Sequence, residues 1–287
     1  MKHTDRRHLE VATFTHPGLS GRNNEDRYAV ASYTGPAKRP VLFAVLCDGI
    51  GGHRAGEVAA ELAVDHIVRS VADSDGTDPL GIMQAAIQGA SRAIAARAAG
   101  NPDEAGMGAT CACVWVAGDR LFTAYVGDSR IYLVQDGKIH RLTVDHTWVQ
   151  EAIEVGLITP EQAGDHPNVH VLRRHLGSPK PPAVDFRQLL DADENGGRAR
   201  RSQGAKLKPG NIVMACTDGL TDSVPDAEIL RLVAKHETLE SAAEDLVVQA
   251  NERGGYDNTT VVLVRASFAG RSWHDRIRRS LEESPTT

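Results

Sequence analysis

Two stretches of this sequence are apolar at every position, and both lead into the same dipeptide. Val41–Cys47 runs straight into Asp48-Gly49, and Ile212–Cys216 runs through Thr217 into Asp218-Gly219. Short apolar runs bounded by turn signals read as strands buried on both faces. A single Asp-Gly is most often only a turn. Two of them at the ends of core strands place carboxylates where water is scarce. There a carboxylate needs a partner, and several together repel unless cations neutralise them.

The segments around these runs set the fold class. Strands are expected at about 10–15 and 27–33, as a first pair joined by the stretch Pro17–Asp26. Val64, Ile67, Val68 and Val71 follow helical spacing, as do Met83, Ala86, Ile87, Ala90 and Ile94 on a helix from Leu80 to about Ala99. Between Thr110 and Leu142 the period shortens. Cys111–Val116, Leu121–Val126, Ile131–Gln135 and Ile139–Leu142 read as successive strands, with tight turns at Gly118-Asp119 and Asp136-Gly137. A helix from about Thr147 to Val155 stops at Gly156. A strand is expected near Ala183–Leu190 and a solvated polar loop over residues 191–208. A late helix carries Ala243, Leu246, Val247 and Ala250, and Val261–Val264 closes the core. This order lacks the steady alternation of a parallel α/β fold and suits an α+β chain of antiparallel sheets with helices packed outside. A polar lead-in occupies 1–9 and one domain 10–266. The last segment, 267–287, carries Trp273, Ile277 and Leu281 at four-residue spacing, which reads as a short amphipathic helix packed on the body, a partner-binding segment or a frayed tail.

Composition narrows the function classes. The 287 residues carry 32 Lys and Arg against 38 Asp and Glu, a net charge of -6, which disfavours non-specific nucleic-acid binding. No apolar run approaches the ~18 residues that span a bilayer. The N-terminus has no apolar core of the kind a secretory signal needs. The cysteines at 47, 111, 113 and 216 form no CxxC pair and read as buried free thiols in a reducing cytoplasm.

Two further carboxylate sites flank strands: Glu25-Asp26 before the strand at 27, and Asp257-Asn258 before the last one. If these converge with Asp48 and Asp218, the ligand set is nearly all oxygen and selects Mg²⁺ or Mn²⁺ over Zn²⁺. An Asp shared by two ions, with the carbonyl of the following glycine, is the arrangement of a two-metal site suited to phosphoester hydrolysis.

Asn24-Glu25-Asp26, Asp48-Gly49-Ile50-Gly51-Gly52-His53, Gly106-Met107-Gly108-Ala109-Thr110, Gly127-Asp128-Ser129-Arg130, Leu142-Thr143-Val144-Asp145-His146, Thr217-Asp218-Gly219-Leu220 and Asp257-Asn258 occur in this order over about residues 10–266. Together they resemble the ordered motifs of the metal-dependent type 2C protein phosphatases, bacterial branch. The resemblance implies a four-layer α/β/β/α sandwich with the metal site at one end between two antiparallel sheets. It implies hydrolysis of phosphoserine and phosphothreonine in proteins by direct attack of a metal-bridging hydroxide, without a phosphoenzyme. Asp48 would then bridge two ions, Gly49 would lend its carbonyl to one, and Asp218 and Asp257 would hold the other. Glu25 or Asp26 would act through metal-bound water, and Asp128 would help hold a third, weaker ion.

The sequence departs from the family pattern at two points. The phosphate-binding Arg usual five residues before Asp26 is replaced by Gly21, with Arg22 one residue later as the candidate phosphate contact. Ile50 stands where some eukaryotic members carry a His proposed as general acid, so leaving-group protonation would fall to metal-bound water. His53 and the histidines at 166, 170 and 175 read as structural or surface residues, and Arg198, Arg200, Arg201, Lys206 and Lys208 as a solvated basic loop. The expected protein is a cytoplasmic monomer opposing a Ser/Thr kinase. Two other readings use the same residues: a catalytically silent phosphoprotein-binding member, and a hydrolase of small phosphoesters.

Overall fold

A hidden alternation inside the apolar runs explains the architecture. The computed structural model describes residues 1–51, 55–190 and 203–266. In strand β4 (Pro40–Cys47), Val41, Phe43, Val45 and Cys47 face one core, while Leu42, Ala44 and Leu46 face another. In β12 (Ile212–Cys216), Ile212, Met214 and Cys216 pack outward and Val213 and Ala215 inward. Successive strand side chains point to opposite faces. A strand apolar at every position is therefore covered on both sides.

The remaining strands are β1 (Lys2–His3), β2 (Glu10–His16), β3 (Arg27–Thr34), β5 (Gly49–Ile50), β6 (Gly108–Ala109), β7 (Cys111–Ala117), β8 (Arg120–Val126), β9 (Arg130–Gln135), β10 (Lys138–Arg141), β11 (Ala205–Lys206) and β13 (Thr259–Arg265). One sheet runs β1-β3-β4-β7-β8-β11 and the other β10-β9-β12-β13-β2, each antiparallel throughout. Helices α1 (Ala55–Asp73) and α2 (Pro79–Gly100) cover the first sheet. Two later helices, Asp226–Lys235 and Leu239–Glu252, cover the second. With a shared core between the sheets, this is the expected α+β, four-layer α/β/β/α sandwich. The four cysteines are buried free thiols. No helix among the described residues is long and apolar enough to cross a membrane.

Three local expectations need correction. The segments 10–15 and 27–33 do not pair: β2 lies against β13, and β3 against β4. Hairpins close through short turns, whereas residues 17–26 form a long connection that crosses from one sheet to the other. Ala183–Leu190 is not a continuous strand. Its one backbone bridge to β8 is Tyr125–Asp185, and the Asp185 side chain turns to His146 and Arg187 instead. The end of the presumed 191–208 loop holds β11, paired with β8. Lys206 and Lys208 there form ion pairs with Asp119 and Asp136 at 3.5 and 2.7 Å. His53, Arg198, Arg200, Arg201 and the segment 267–287 lie outside the described residues.

Register places the chemistry. Arg27 stands opposite Cys47, Cys111 opposite Val126, and Cys216 opposite both Arg130 and Val261. The residues just beyond these ends are Asp26, Asp48, Thr110, Gly127–Ser129, Thr217-Asp218 and Asp257-Asn258. Antiparallel pairing brings all of them to one end of the sandwich.

Candidate metal centre

Asn258 ties down both ends of the 17–26 crossing. Its Oδ1 accepts from the Glu25 N–H at 2.7 Å, and its Nδ2 donates to the Pro17 carbonyl at 2.9 Å. A methyl group on Gly18, whose φ is +74°, would lie 2.4 Å from the Asp257 carbonyl oxygen, so glycine alone permits this approach. Asp48 and Gly49 are held from the other side. The Asp48 N–H donates to Thr110 Oγ1 at 3.0 Å, the Thr110 N–H donates back to the Asp48 carbonyl at 2.8 Å, and Thr110 Oγ1 lies 2.7 Å from Ser129 Oγ. The Gly106–Thr110 motif therefore links the strand end at Asp48 to the turn that carries Asp128.

The Asp145-His146 motif braces that turn. His146 Nδ1 accepts from the Gly127 N–H at 3.0 Å, and its other nitrogen lies 3.2 Å from Asp185. Asp145 is paired with Arg130 at 2.8 Å and also with Arg141. A methyl group on Gly49 would sit 2.2 Å from the Gly56 carbonyl oxygen. One on Gly56 would sit 2.7 Å from Glu25 Oε2, so the Glu25 carboxylate lies against the first turn of α1.

The carboxylates feel one another. Burial pushes Asp48 well above the usual carboxylate range, reinforced by the charges of Asp218, Asp26, Asp128 and Asp257. Burial likewise pushes Asp26 up to about 7, opposed by hydrogen bonds from Thr260 and Thr217 and assisted by Asp218 and Asp257. Asp218 also rises to about 7, first through burial and then through Asp222 and Asp257. Asp128 is raised by burial and by Asp218, and Glu25 by burial and Asp257. Arg22 is exposed, and its charge opposes the rise at Glu25, which places it at the rim of the cluster. Glu25, Asp26, Asp48, Gly49, Asp128, Asp218 and Asp257 are thus brought to one end of the sandwich.

Two further candidates escaped the sequence reading. Asp222 follows Asp218 by one turn in the short helix Asp218–Thr221 and its cap. Their i,i+4 spacing puts the two on one face, a signal present in the sequence. His170, read as a surface loop residue, is exposed but lies 3.5 Å from Asp222. Donor atoms of His170, Asp218 and Asp222 all lie within 4.8 Å of one another. His170 and Asp222 line a cavity of about 770 Å³ together with Tyr256 and Asp257. The three-residue gap between His166 and His170 is one seen in some zinc sites, but the loop context reads as surface histidines, and the distance from His170 to Asp222 is closed only by the fold.

The site fits divalent cations. Asp26 Oδ1 and Asp218 Oδ1 are both buried without a hydrogen-bond partner, whereas buried polar atoms are normally satisfied. Orphaned carboxylate oxygens in a group of mutually repelling acids are what hard cations bind.

Comparison with known proteins agrees. The family model described as Protein phosphatase 2C matches residues 19–249. The chain belongs to the protein phosphatase 2C family. The serine/threonine protein phosphatase PstP of Mycobacterium tuberculosis is 36% identical over 256 residues, which cover 89% of this chain but 44% of that protein, so the chain spans less than half the length of this phosphatase 2C relative. The serine/threonine phosphatase of S. agalactiae superposes with a TM-score of 0.78 at 31% identity, covering 90% of this chain and 100% of that one. The PstP catalytic domain in complex with two manganese ions superposes with a TM-score of 0.72 at 33% identity, covering 90% and 97%. The phosphatase 2C fold and the sandwich described above are one and the same.

Proposed function

We propose that this chain hydrolyses phosphoserine and phosphothreonine in proteins, using Mn²⁺ or Mg²⁺ held by the acidic cluster. The observation that carries this reading is the convergence of Asp48, Asp218 and Asp26 with two buried carboxylate oxygens left unpaired. Asp48, the Gly49 carbonyl, Glu25, Asp218 and Asp257 are the residues that would hold a pair of ions. Asp128 and Asp218 would hold a third, with His170 and Asp222 as added donors. Bound there, the ions would supply an activated water for in-line attack on phosphorus and neutralise charge on the phosphate oxygens. Asp26, whose Oδ2 already accepts two hydroxyls, keeps Oδ1 to take a proton. Arg22, at the rim, offers a planar fork suited to phosphate. Ile50 offers no proton to the leaving group. The relatives' names and the metal-bound PstP structure support the substrate class and the ion type. A Ser/Thr kinase is the natural counterpart, and the cytoplasm the natural setting.

The direct test is release of phosphate from a phosphothreonine peptide, with EDTA and with Mn²⁺ added back, beside a small aryl phosphate. The reading expects turnover of the peptide that vanishes in EDTA and returns with Mn²⁺. Turnover of the small ester alone would turn the reading to a small-phosphoester hydrolase, and no turnover of either to a binding member.

A further inference from the structure

Asp26 is the most enclosed acid of the cluster, 3% exposed, and its two oxygens are treated differently. Oδ2 accepts from Thr217 Oγ1 at 3.0 Å and from Thr260 Oγ1 at 2.7 Å, while Oδ1 is buried without a partner. The neighbouring bonds fix the direction of every hydroxyl. The Thr260 N–H donates to Thr217 Oγ1 at 3.0 Å, which leaves the Thr217 proton for Asp26. The Asp26 N–H donates to Asn24 Oδ1 at 3.0 Å, which sets the Asn24 amide so that its Nδ2 donates to Thr15 Oγ1 at 2.8 Å. Thr15 Oγ1 lies 2.7 Å from Thr260 Oγ1. Since Thr260 gives its own proton to Asp26, the Thr15 hydroxyl donates to Thr260. A one-way chain therefore runs Asn24 to Thr15 to Thr260 to Asp26, joining the crossing, β2 and β13.

Resting on the phosphatase reading above, we infer that Thr217 and Thr260 are positioning residues. Their hydroxyls saturate Asp26 Oδ2 and hold the carboxylate in the one orientation that leaves Oδ1 open. Thr217 and Thr260 are fully buried, so neither hydroxyl can exchange Asp26 for bulk water. A merely structural role would need only that these hydroxyls be satisfied, by any acceptor.

The test uses the full chain and the variants Thr217→Val, Thr260→Val, Thr217→Ser, Thr260→Ser and Thr15→Val. Mn²⁺ binding is followed by calorimetry, and kcat and KM for a small aryl phosphate at saturating Mn²⁺. The crystal structure of Thr260→Val gives the orientation of Asp26. Each valine at 217 or 260 should lower kcat by about tenfold to a hundredfold with KM little changed. Asp26 should turn in the crystal so that Oδ1 gains a partner, and each serine should restore kcat. Thr15→Val, at an exposed position that does not risk the fold, should lower kcat severalfold. Valine variants with unchanged kcat, serines no better than valines, an unturned Asp26, or an unaffected Thr15→Val would each overturn the inference. An unsubstituted chain without Mn²⁺-dependent turnover would instead sink the phosphatase reading, and the orientation of Asp26 in the crystal would still decide the positioning.

Discussion

At the scale of single residues, the acids at strand ends oppose folding unless ions join them. Asp218→Asn removes one charge from the group with little change of shape. It should abolish Mn²⁺-dependent turnover and raise the melting temperature of the metal-free chain by a few degrees, read by scanning calorimetry with and without EDTA. Wild-type turnover at limiting Mn²⁺ would remove Asp218 from the ligand set. Gly49 is constrained by backbone rather than by a flexible side chain. Gly49→Ala would drive a methyl into the Gly56 carbonyl, 2.2 Å away. It should cost about 1–3 kcal/mol in denaturant titration, with Mn²⁺ affinity falling as Glu25 is displaced. Asp48, Asp218 and Asp257 were legible in the sequence because each adjoins a core strand and a turn residue. Thr110, Thr217 and Thr260 were not read as parts of the site. A threonine beside a carboxylate motif has no pattern of its own, and its partners lie on other strands.

Elements show where periodicity suffices and where it fails. The two-faced alternation of β4 and β12 is carried by the side chains themselves, so a continuous apolar run identified both strands. The partner of β2 is set instead by where the crossing lands. No local residue distinguishes a return onto β3 from a passage to the other sheet, and the expected pair was wrong for that reason. The cap of helix α3 (Trp148–Glu154) was readable, since the Thr147 side chain accepts from the Gln150 N–H and Gly156 takes a positive φ of 71°. The loop that follows α3 brings His170 to Asp222. His170→Ala should weaken binding of one weaker ion and leave the tight pair, visible as a loss of the low-affinity phase in Mn²⁺ titration calorimetry. An unchanged isotherm would return His170 to the surface.

For the whole molecule, the acids make stability depend on pH and metal together. Asp26 and Asp218 are pushed up to about 7, chiefly by burial. The folded chain therefore binds more protons than the unfolded chain between about pH 4 and about pH 7. The sign follows: metal-free stability from these groups is present at the acidic end and is lost as pH rises through 7. The melting temperature in EDTA should fall over that window. With excess Mn²⁺ the trend should flatten or reverse, because ligands must be deprotonated to bind; a ten-fold excess over Kd adds about 1.4 kcal/mol by mass action. Parallel fluorimetry scans across the window, with and without Mn²⁺, distinguish the two trends. The sequence by itself determined the strand faces, the helix stripes and the presence of acids at strand ends, since these depend on neighbours a few residues apart. Only the tertiary structure decided that those ends meet, which sheet receives β2, which oxygen of Asp26 stays open and that His170 reaches Asp222. Each of these is a contact between distant segments, fixed by register and packing rather than by local preference.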